Sequence, residues 1–158
     1  MEVGFGTGAL LIEMTRRRLA VTGIDASWQM QQVAGRKMSG QGVAADRVCG
    51  RAQSLPFERL TFNNVLSTFP TNYISDAESL AEVWRILAPA GRWVIVGLGL
   101  RFKSPLKQFL AGWLLGDWEN SWMQSFTNLA QEAGFQPKLV KHETEEYILP
   151  ILILEKPR

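Results

Sequence analysis

A glycine-rich loop begins almost at the first residue: Glu2-Val3-Gly4-Phe5-Gly6-Thr7-Gly8. Glycines at this spacing let the backbone turn tightly and let a ligand approach it closely. Such a loop normally follows a buried strand and opens a helix whose first N–H groups are free to face a ligand. It therefore demands a strand–loop–helix unit and points to a nucleotide-type cofactor site. Almost no strand precedes it. The expectation is that residues 1–158 form one domain lacking its N-terminal helices and most of its first strand.

The rest of the chain alternates in the same sense. Met1–Val3 is the tail of a strand, and Ala9–Arg18 a helix with Leu10, Leu11 and Met14 on its apolar face. Leu19–Ile24 is a short strand ending at Asp25. Ser27–Lys37 is the next helix, with Ser27 as its N-cap. Arg47–Cys49 is a weak strand and Phe62–Ser67 a better one. Asp76–Leu87 is a helix capped by Asp76, with Leu80, Val83, Trp84 and Leu87 on one face and Pro89 after its end. After the Ala90-Gly91 turn, the continuous apolar run Trp93–Val96 is a buried strand. Ser125–Ala133 is a helix stopped by Gly134. Pro137–His142 and Tyr147–Leu154 are a strand pair, antiparallel because only a short polar link joins them. Alternation of this kind implies an α/β, Rossmann-like, doubly wound and mostly parallel sheet, with an antiparallel C-terminal pair. Ligands of such sheets bind beyond the carboxyl ends of the strands, where the strand order reverses. The glycine loop and Asp25 both lie at such ends.

Bulk properties exclude several classes. A formal net charge of +2 is too small to argue for nucleic acid. The single cysteine, Cys49, allows no intrachain disulfide and suits a reducing cytoplasm. We read it as a buried, small apolar residue rather than a nucleophile. One histidine, His142, leaves little for a histidine metal site or a Ser-His-Asp triad. No uninterrupted apolar run reaches the roughly 18 residues of a membrane span.

Glu2 and Asp25 sharpen the loop. A dinucleotide fingerprint reads G-x-G-x-x-G, but here the third glycine comes one residue early. An acid at position 2 would repel a pyrophosphate and suit a ligand carrying a cationic amine. Asp25, ending the next strand, can take both hydroxyls of a ribose. The residues thus favour an amino-acid-bearing nucleoside over a dinucleotide.

On these residues the chain resembles the class I S-adenosyl-L-methionine (SAM)-dependent methyltransferases, and most closely the small-molecule group that includes the ubiquinone/menaquinone biosynthesis enzymes. Besides the glycine loop, the matching stretches are Gly23-Ile24-Asp25-Ala26-Ser27 with Met30, Ala52-Gln53-Ser54-Leu55-Pro56-Phe57, and Leu87-Ala88-Pro89-Ala90-Gly91-Arg92. The resemblance implies SAM as cofactor and a small acceptor. It implies that Glu2, Gly4, Phe5, Gly6, Thr7 and Gly8 hold the methionine moiety, that Asp25 binds the ribose, and that Ala26 and Met30 pack on the adenine. Ala52 and Gln53 would flank the adenine edge, and Thr68 and Phe69 would sit near the transferred methyl. The family often has an acid where this chain has Arg51, and another where it has Asn63.

No convincing general base stands out. His142 reads as a structural or surface residue, and Tyr73 as a weak candidate base. Residues 98–123, rich in tryptophan and phenylalanine with Arg101, Lys103 and Lys107 interleaved, allow three readings. They could form an acceptor-side insertion or lid, an interfacial membrane helix, or an insertion packed on the core. Arg16-Arg17-Arg18 reads as a solvated helix end. Glu143, Glu145 and Glu146 read as a hairpin connection. Exposed apolar surface could drive oligomerisation. The competing functions are a non-catalytic methyltransferase-like module and a dinucleotide oxidoreductase.

Overall fold

The computed structural model describes residues 1–97, 101–104 and 119–158. Its elements are β1 (Glu2–Val3), α1 (Ala9–Arg16), β2 (Thr22–Asp25), α2 (Trp28–Gly40), β3 (Asp46–Cys49), β4 (Phe62–Thr68), a 3-10 turn (Asn72–Ser75) and α3 (Ala77–Ile86). Then come β5 (Leu87–Val96), β6 (Arg101–Phe102), α4 (Glu119–Glu132), β7 (Gln136–Glu143) and β8 (Tyr147–Glu155).

The sheet runs β3-β2-β1-β4-β5-β8, with β7 on the far side of β8. Its first five strands pair in parallel. β8 is antiparallel to β5, β6 and β7. Ile148 pairs with both Arg101 and Glu143, so β6 and β7 lie on opposite flanks of β8. The strand order steps outward from β1 to β3, then returns to place β4 on the other side of β1. The switch point therefore lies between β1 and β4, where a ligand crevice opens in folds of this type.

Local signals explain the elements and their shifted ends. Arg18 adopts a left-handed φ of 59°, so α1 stops at Arg16 and β2 begins only at Thr22. Leu19, expected to open β2, is 55 % exposed. The Ser27 hydroxyl accepts the Met30 N–H at 3.3 Å and caps α2 as expected. Asp76 occupies the N-cap position of α3 but does not cap it. Its carboxylate instead accepts from the Gln53 side-chain amide at 2.5 Å. The fifth strand begins at Leu87, directly after α3, because Leu87 pairs with Phe62 before an irregularity shifts the register to Asn64–Arg92.

Among the described residues, two apolar cores hold the layers together. Phe5, Leu11, Ile12, Ala34 and Met38 join α1 and α2 to the glycine loop. The larger core gathers β1, β4, β5 and β8 with α3 and α4, around the fully buried Trp93, Phe126, Ile86 and Leu154. Residues Trp93 and Ile95 are buried while the alternating Val94 and Val96 are half-buried, the period of two expected of a strand. Trp93 is a large ring with a polar handle, and its Nε1 donates to the buried Ser67 hydroxyl at 3.1 Å. Buried Gln31 ties α2 to the sheet by donating to the carbonyls of Val48 (2.7 Å) and Asp25 (3.2 Å). No helix among the described residues is long and apolar enough to cross a membrane.

The end of α3 is closed from a distance. Lys156, just past β8, donates to the carbonyls of Trp84 (2.7 Å) and Leu87 (2.8 Å) and stands 4.9 Å from the centre of the Trp84 ring. A cation satisfying the last carbonyls of a helix also meets the negative end of its dipole. Lys156→Ala should lower stability by about 2 kcal/mol. Urea unfolding followed by tryptophan fluorescence would check this. A change below about 0.5 kcal/mol would mean that water replaces the ammonium without loss.

Candidate functional site

At the switch point a cavity of about 550 Å³ opens over the carboxyl ends of β1, β2, β3 and β4. Four chain segments wall it: Val3–Gly6, Ile24–Ser27, Gly50–Gln53, and Thr68–Thr71 with Tyr73. Of the residues singled out from sequence, Gly4, Phe5, Gly6, Asp25, Ala26, Ala52, Gln53, Thr68 and Phe69 come together on this wall. Glu2, Thr7, Gly8 and Met30 lie off it. Gly8 has its own reason to lack a side chain, because a Cβ there would stand 2.9 Å from the Cβ of Ala34.

Asp25 organises the first two segments. One carboxylate oxygen accepts the Gly6 N–H at 2.7 Å, and the other accepts the Ser27 N–H at 2.8 Å. The side chain thus fastens the glycine loop to the start of α2. Each oxygen keeps a lone pair for a further donor. The third segment is held from α3: the Leu55 N–H donates to Glu82 at 2.7 Å, and Arg85 donates to the carbonyls of Leu55 (2.9 Å) and Phe57 (2.7 Å). That clamp holds the segment after Ala52 and Gln53, which line the cavity.

Glu2 lies beneath the loop, 1 % exposed. One of its carboxylate oxygens has no hydrogen-bond partner. Burial is the largest influence on this group and raises its pKa from 4.5 to about 7. The Met1 ammonium and a hydrogen bond with Thr68 pull it back down, while the nearby charge of Asp25 raises it further. A buried carboxylate with an unused oxygen is poised for a cationic donor.

The fourth segment carries Phe69, 72 % exposed, with a left-handed φ of 46° that a bulky residue rarely adopts. Its N–H donates to the Val96 carbonyl at 2.7 Å.

Tyr73, the weak candidate base, is engaged with the backbone of the glycine loop. Its hydroxyl donates to the Val3 carbonyl at 2.9 Å. Burial, more than any other influence, raises its pKa to about 12. His142 lies exposed on β7, paired with Leu149 and away from the cavity. Cys49 is exposed rather than buried, because β3 is the edge of the sheet. Val3, Ile24, Ser27, Gly50, Arg51, Pro70 and Thr71 also line the wall without having been named as site residues. All lie at or within a few residues of a strand's carboxyl end, so the switch-point rule itself could have found them. Most of the aromatic stretch read as a lid, residues 98–100 and 105–118, lies outside the described residues.

Comparison with known proteins agrees with this geometry. Residues 1–91 match a family model described as "Methyltransferase domain". A ubiquinone/menaquinone biosynthesis C-methyltransferase of Desulfotalea psychrophila is 39% identical over 97 residues, covering 60% of this chain and 39% of that protein. A demethylmenaquinone methyltransferase of Deinococcus radiodurans is 31% identical over 99 residues, covering 61% and 41%. A phosphatidylethanolamine N-methyltransferase of Cereibacter sphaeroides is 34% identical over 109 residues, covering 67% and 53%. The matches thus span less than two thirds of each of these relatives. Among solved structures, a SAM-dependent methyltransferase of Methanosarcina mazei superposes with a TM-score of 0.72 at 17% identity, covering 99% of this chain and 91% of that one. Phosphoethanolamine N-methyltransferase 2 of Haemonchus contortus, solved with S-adenosylhomocysteine, superposes at 0.71 and 16% identity, covering 99% and 48%. The fold is therefore the Rossmann-like fold of SAM-dependent methyltransferases, and with more than half its length matched by the family model the chain belongs to the methyltransferase domain family.

Proposed function

We propose that this chain binds SAM in the switch-point cavity and transfers its methyl group to a small, apolar acceptor by in-line displacement. The observation that carries the reading is buried Glu2, with one unused carboxylate oxygen below a glycine loop pinned by Asp25. The residues fit the cofactor. Glu2 suits the ammonium of a methionine moiety, and Asp25 has lone pairs left for ribose hydroxyls. Ala26 and Ala52 present small apolar surfaces to a purine, with Gln53 at its edge. Thr68 and Phe69 line the same cavity and would sit near the transferred methyl.

Bound SAM would supply an electrophilic methyl on a sulfonium leaving group. The chain's task is then to orient and to exclude water, which can account for much of a displacement's acceleration. Glu2 and Asp25 would anchor the two ends of the cofactor. Phe69 and Pro70 would desolvate the acceptor side. An acceptor that is already nucleophilic needs no base from the protein. The names of the relatives, two in quinone biosynthesis and one acting on a phospholipid, support an apolar acceptor.

Titration with S-adenosylhomocysteine by calorimetry should give a dissociation constant of roughly micromolar size, about −8 kcal/mol. NAD should produce a smaller thermal shift at equal concentration. A larger shift with NAD would replace this reading with a dinucleotide site. Transfer of label from radioactive SAM to a lipid or quinone extract tests turnover, and binding without any transfer would favour a non-catalytic module.

A further inference from the structure

We infer that Tyr73 is a positioning residue, joining the acceptor side of the cavity to the glycine loop that receives the cofactor's methionine end. The inference rests on the proposed function for the identity of the ligand, but its geometry stands apart from it. β1 and β4 share a single bridge, Glu2 with Leu66. One residue further on, the Val3 carbonyl takes its hydrogen bond from the Tyr73 hydroxyl at 2.9 Å. A side chain 70 positions away thus holds the carbonyl of the Val3–Gly4 peptide, whose N–H donates to the Ile24 carbonyl at 2.8 Å. Ser67, whose oxygen accepts from Trp93 Nε1 at 3.1 Å, also acts on the Tyr73 hydroxyl and lowers its pKa, a smaller influence than burial. A polar chain therefore runs from Trp93 in the core through Ser67 and Tyr73 to the end of β1.

The ring also occupies the space over Gly4. A Cβ at Gly4, whose φ is +76°, would stand 2.5 Å from the Tyr73 oxygen. Gly4 and Tyr73 are thus a matched pair, the missing side chain of one admitting the ring of the other. The cavity wall of Phe69–Thr71 immediately precedes the turn that carries Tyr73. Movement of that wall would pass to the Val3–Gly4 peptide through a hydrogen bond and a ring contact. The raised pKa keeps the phenol protonated and donating across the ordinary pH range.

Tyr73→Phe keeps the ring and removes the hydrogen bond. Two probes divide the cavity: S-adenosylhomocysteine reaches the glycine loop with its amino-acid end, whereas adenosine ends at the ribose. Tyr73→Phe should bind S-adenosylhomocysteine about tenfold more weakly, with adenosine affinity within about twofold and a melting temperature lowered by only a few degrees. Unchanged S-adenosylhomocysteine affinity, or equal losses for both probes, would overturn the inference and leave Tyr73 a packing residue. Amide exchange in the ligand-free protein gives an independent reading: the Gly4 N–H, which belongs to the peptide that Tyr73 holds and donates to the Ile24 carbonyl at 2.8 Å, should exchange about tenfold faster in the variant. Equal exchange rates also overturn it. Should the wild type bind neither probe, the SAM reading falls, and the exchange result alone decides the role of Tyr73.

Discussion

Glu2→Gln should make the ligand-free protein more stable at pH 8 and cripple its binding of S-adenosylhomocysteine. The carboxyl has a pKa of about 7 when folded, against 4.5 ordinarily, chiefly because it is buried. The folded state therefore holds this proton more tightly than the unfolded state does. Between pH 4.5 and about 7, raising the pH withdraws stability, and above 7 the full penalty of a buried charge remains. The shift corresponds to on the order of 3 kcal/mol. Glutamine carries no charge and avoids that penalty. Urea midpoints of wild type and variant should coincide near pH 4 and separate as the pH rises to 8. Parallel curves across that range would remove the buried charge from the account.

Binding should move the opposite way. An ammonium delivered by the ligand would meet a charge already stripped of water, a strong pairing when its partner is present. Loss of roughly 100-fold in affinity is expected of Glu2→Gln, about 3 kcal/mol. Wild-type affinity should fall as the pH drops below 7, because Glu2 must give up its proton to take the ammonium. The variant should show no such slope. Stability and binding thus pull against each other at one residue, as expected where an active site retains an unfavourable group for its ligand.

Asp25→Ala should have the largest effect on the site as a whole. The carboxylate holds the Gly6 and Ser27 N–H groups, so its removal frees both the glycine loop and the entry to α2. Hydrogen bonds to a charged group contribute about 1.5 to 3 kcal/mol each, so stability should fall by about 3 kcal/mol. S-adenosylhomocysteine and adenosine should both bind beyond detection, since both carry the ribose that Asp25 is proposed to hold. Adenosine separates the two acids: Glu2→Gln should retain it and Asp25→Ala should not. Asp25→Asn, which keeps one acceptor oxygen, should fall between wild type and alanine in melting temperature. Undiminished binding in Asp25→Ala would move the ribose elsewhere.

Much of this fold is written locally. The glycine loop, the N-cap at Ser27, the stop at Gly134 and the polar link before Tyr147 all act over a few residues, and the observed elements follow them. Element ends shifted where a local rule met a tertiary one. Asp76 has the chemistry of a cap, yet Gln53, 23 residues earlier, takes its carboxylate. Leu87 reads as the end of a helix, but pairing with Phe62 turns it into a strand. Cys49 looked like a core residue because its type is usually buried, and the edge position of β3 exposes it. Within the site, the residues at strand ends were legible because the switch-point rule names a place. The partners that hold them were not. Arg85 reaching Leu55, Lys156 closing α3 and Tyr73 reaching Val3 span 30, 69 and 70 positions, and no pattern along the chain encodes such contacts.

The place of β1 has a kinetic side. Glu2 pairs with Gly23 on one flank and Leu66 on the other. Two residues of strand must capture neighbours from opposite directions, and loop closure precedes any gain from the pairing. No single strand–helix unit contains the cavity, which comes into being when the two halves of the sheet meet across β1. A small molecule seated there touches both halves at once. It would act as a clasp on the closed sheet, slowing unfolding by lowering the energy of the joined state relative to the barrier for parting. In this architecture, filling the crevice and keeping the halves of the sheet together are one event.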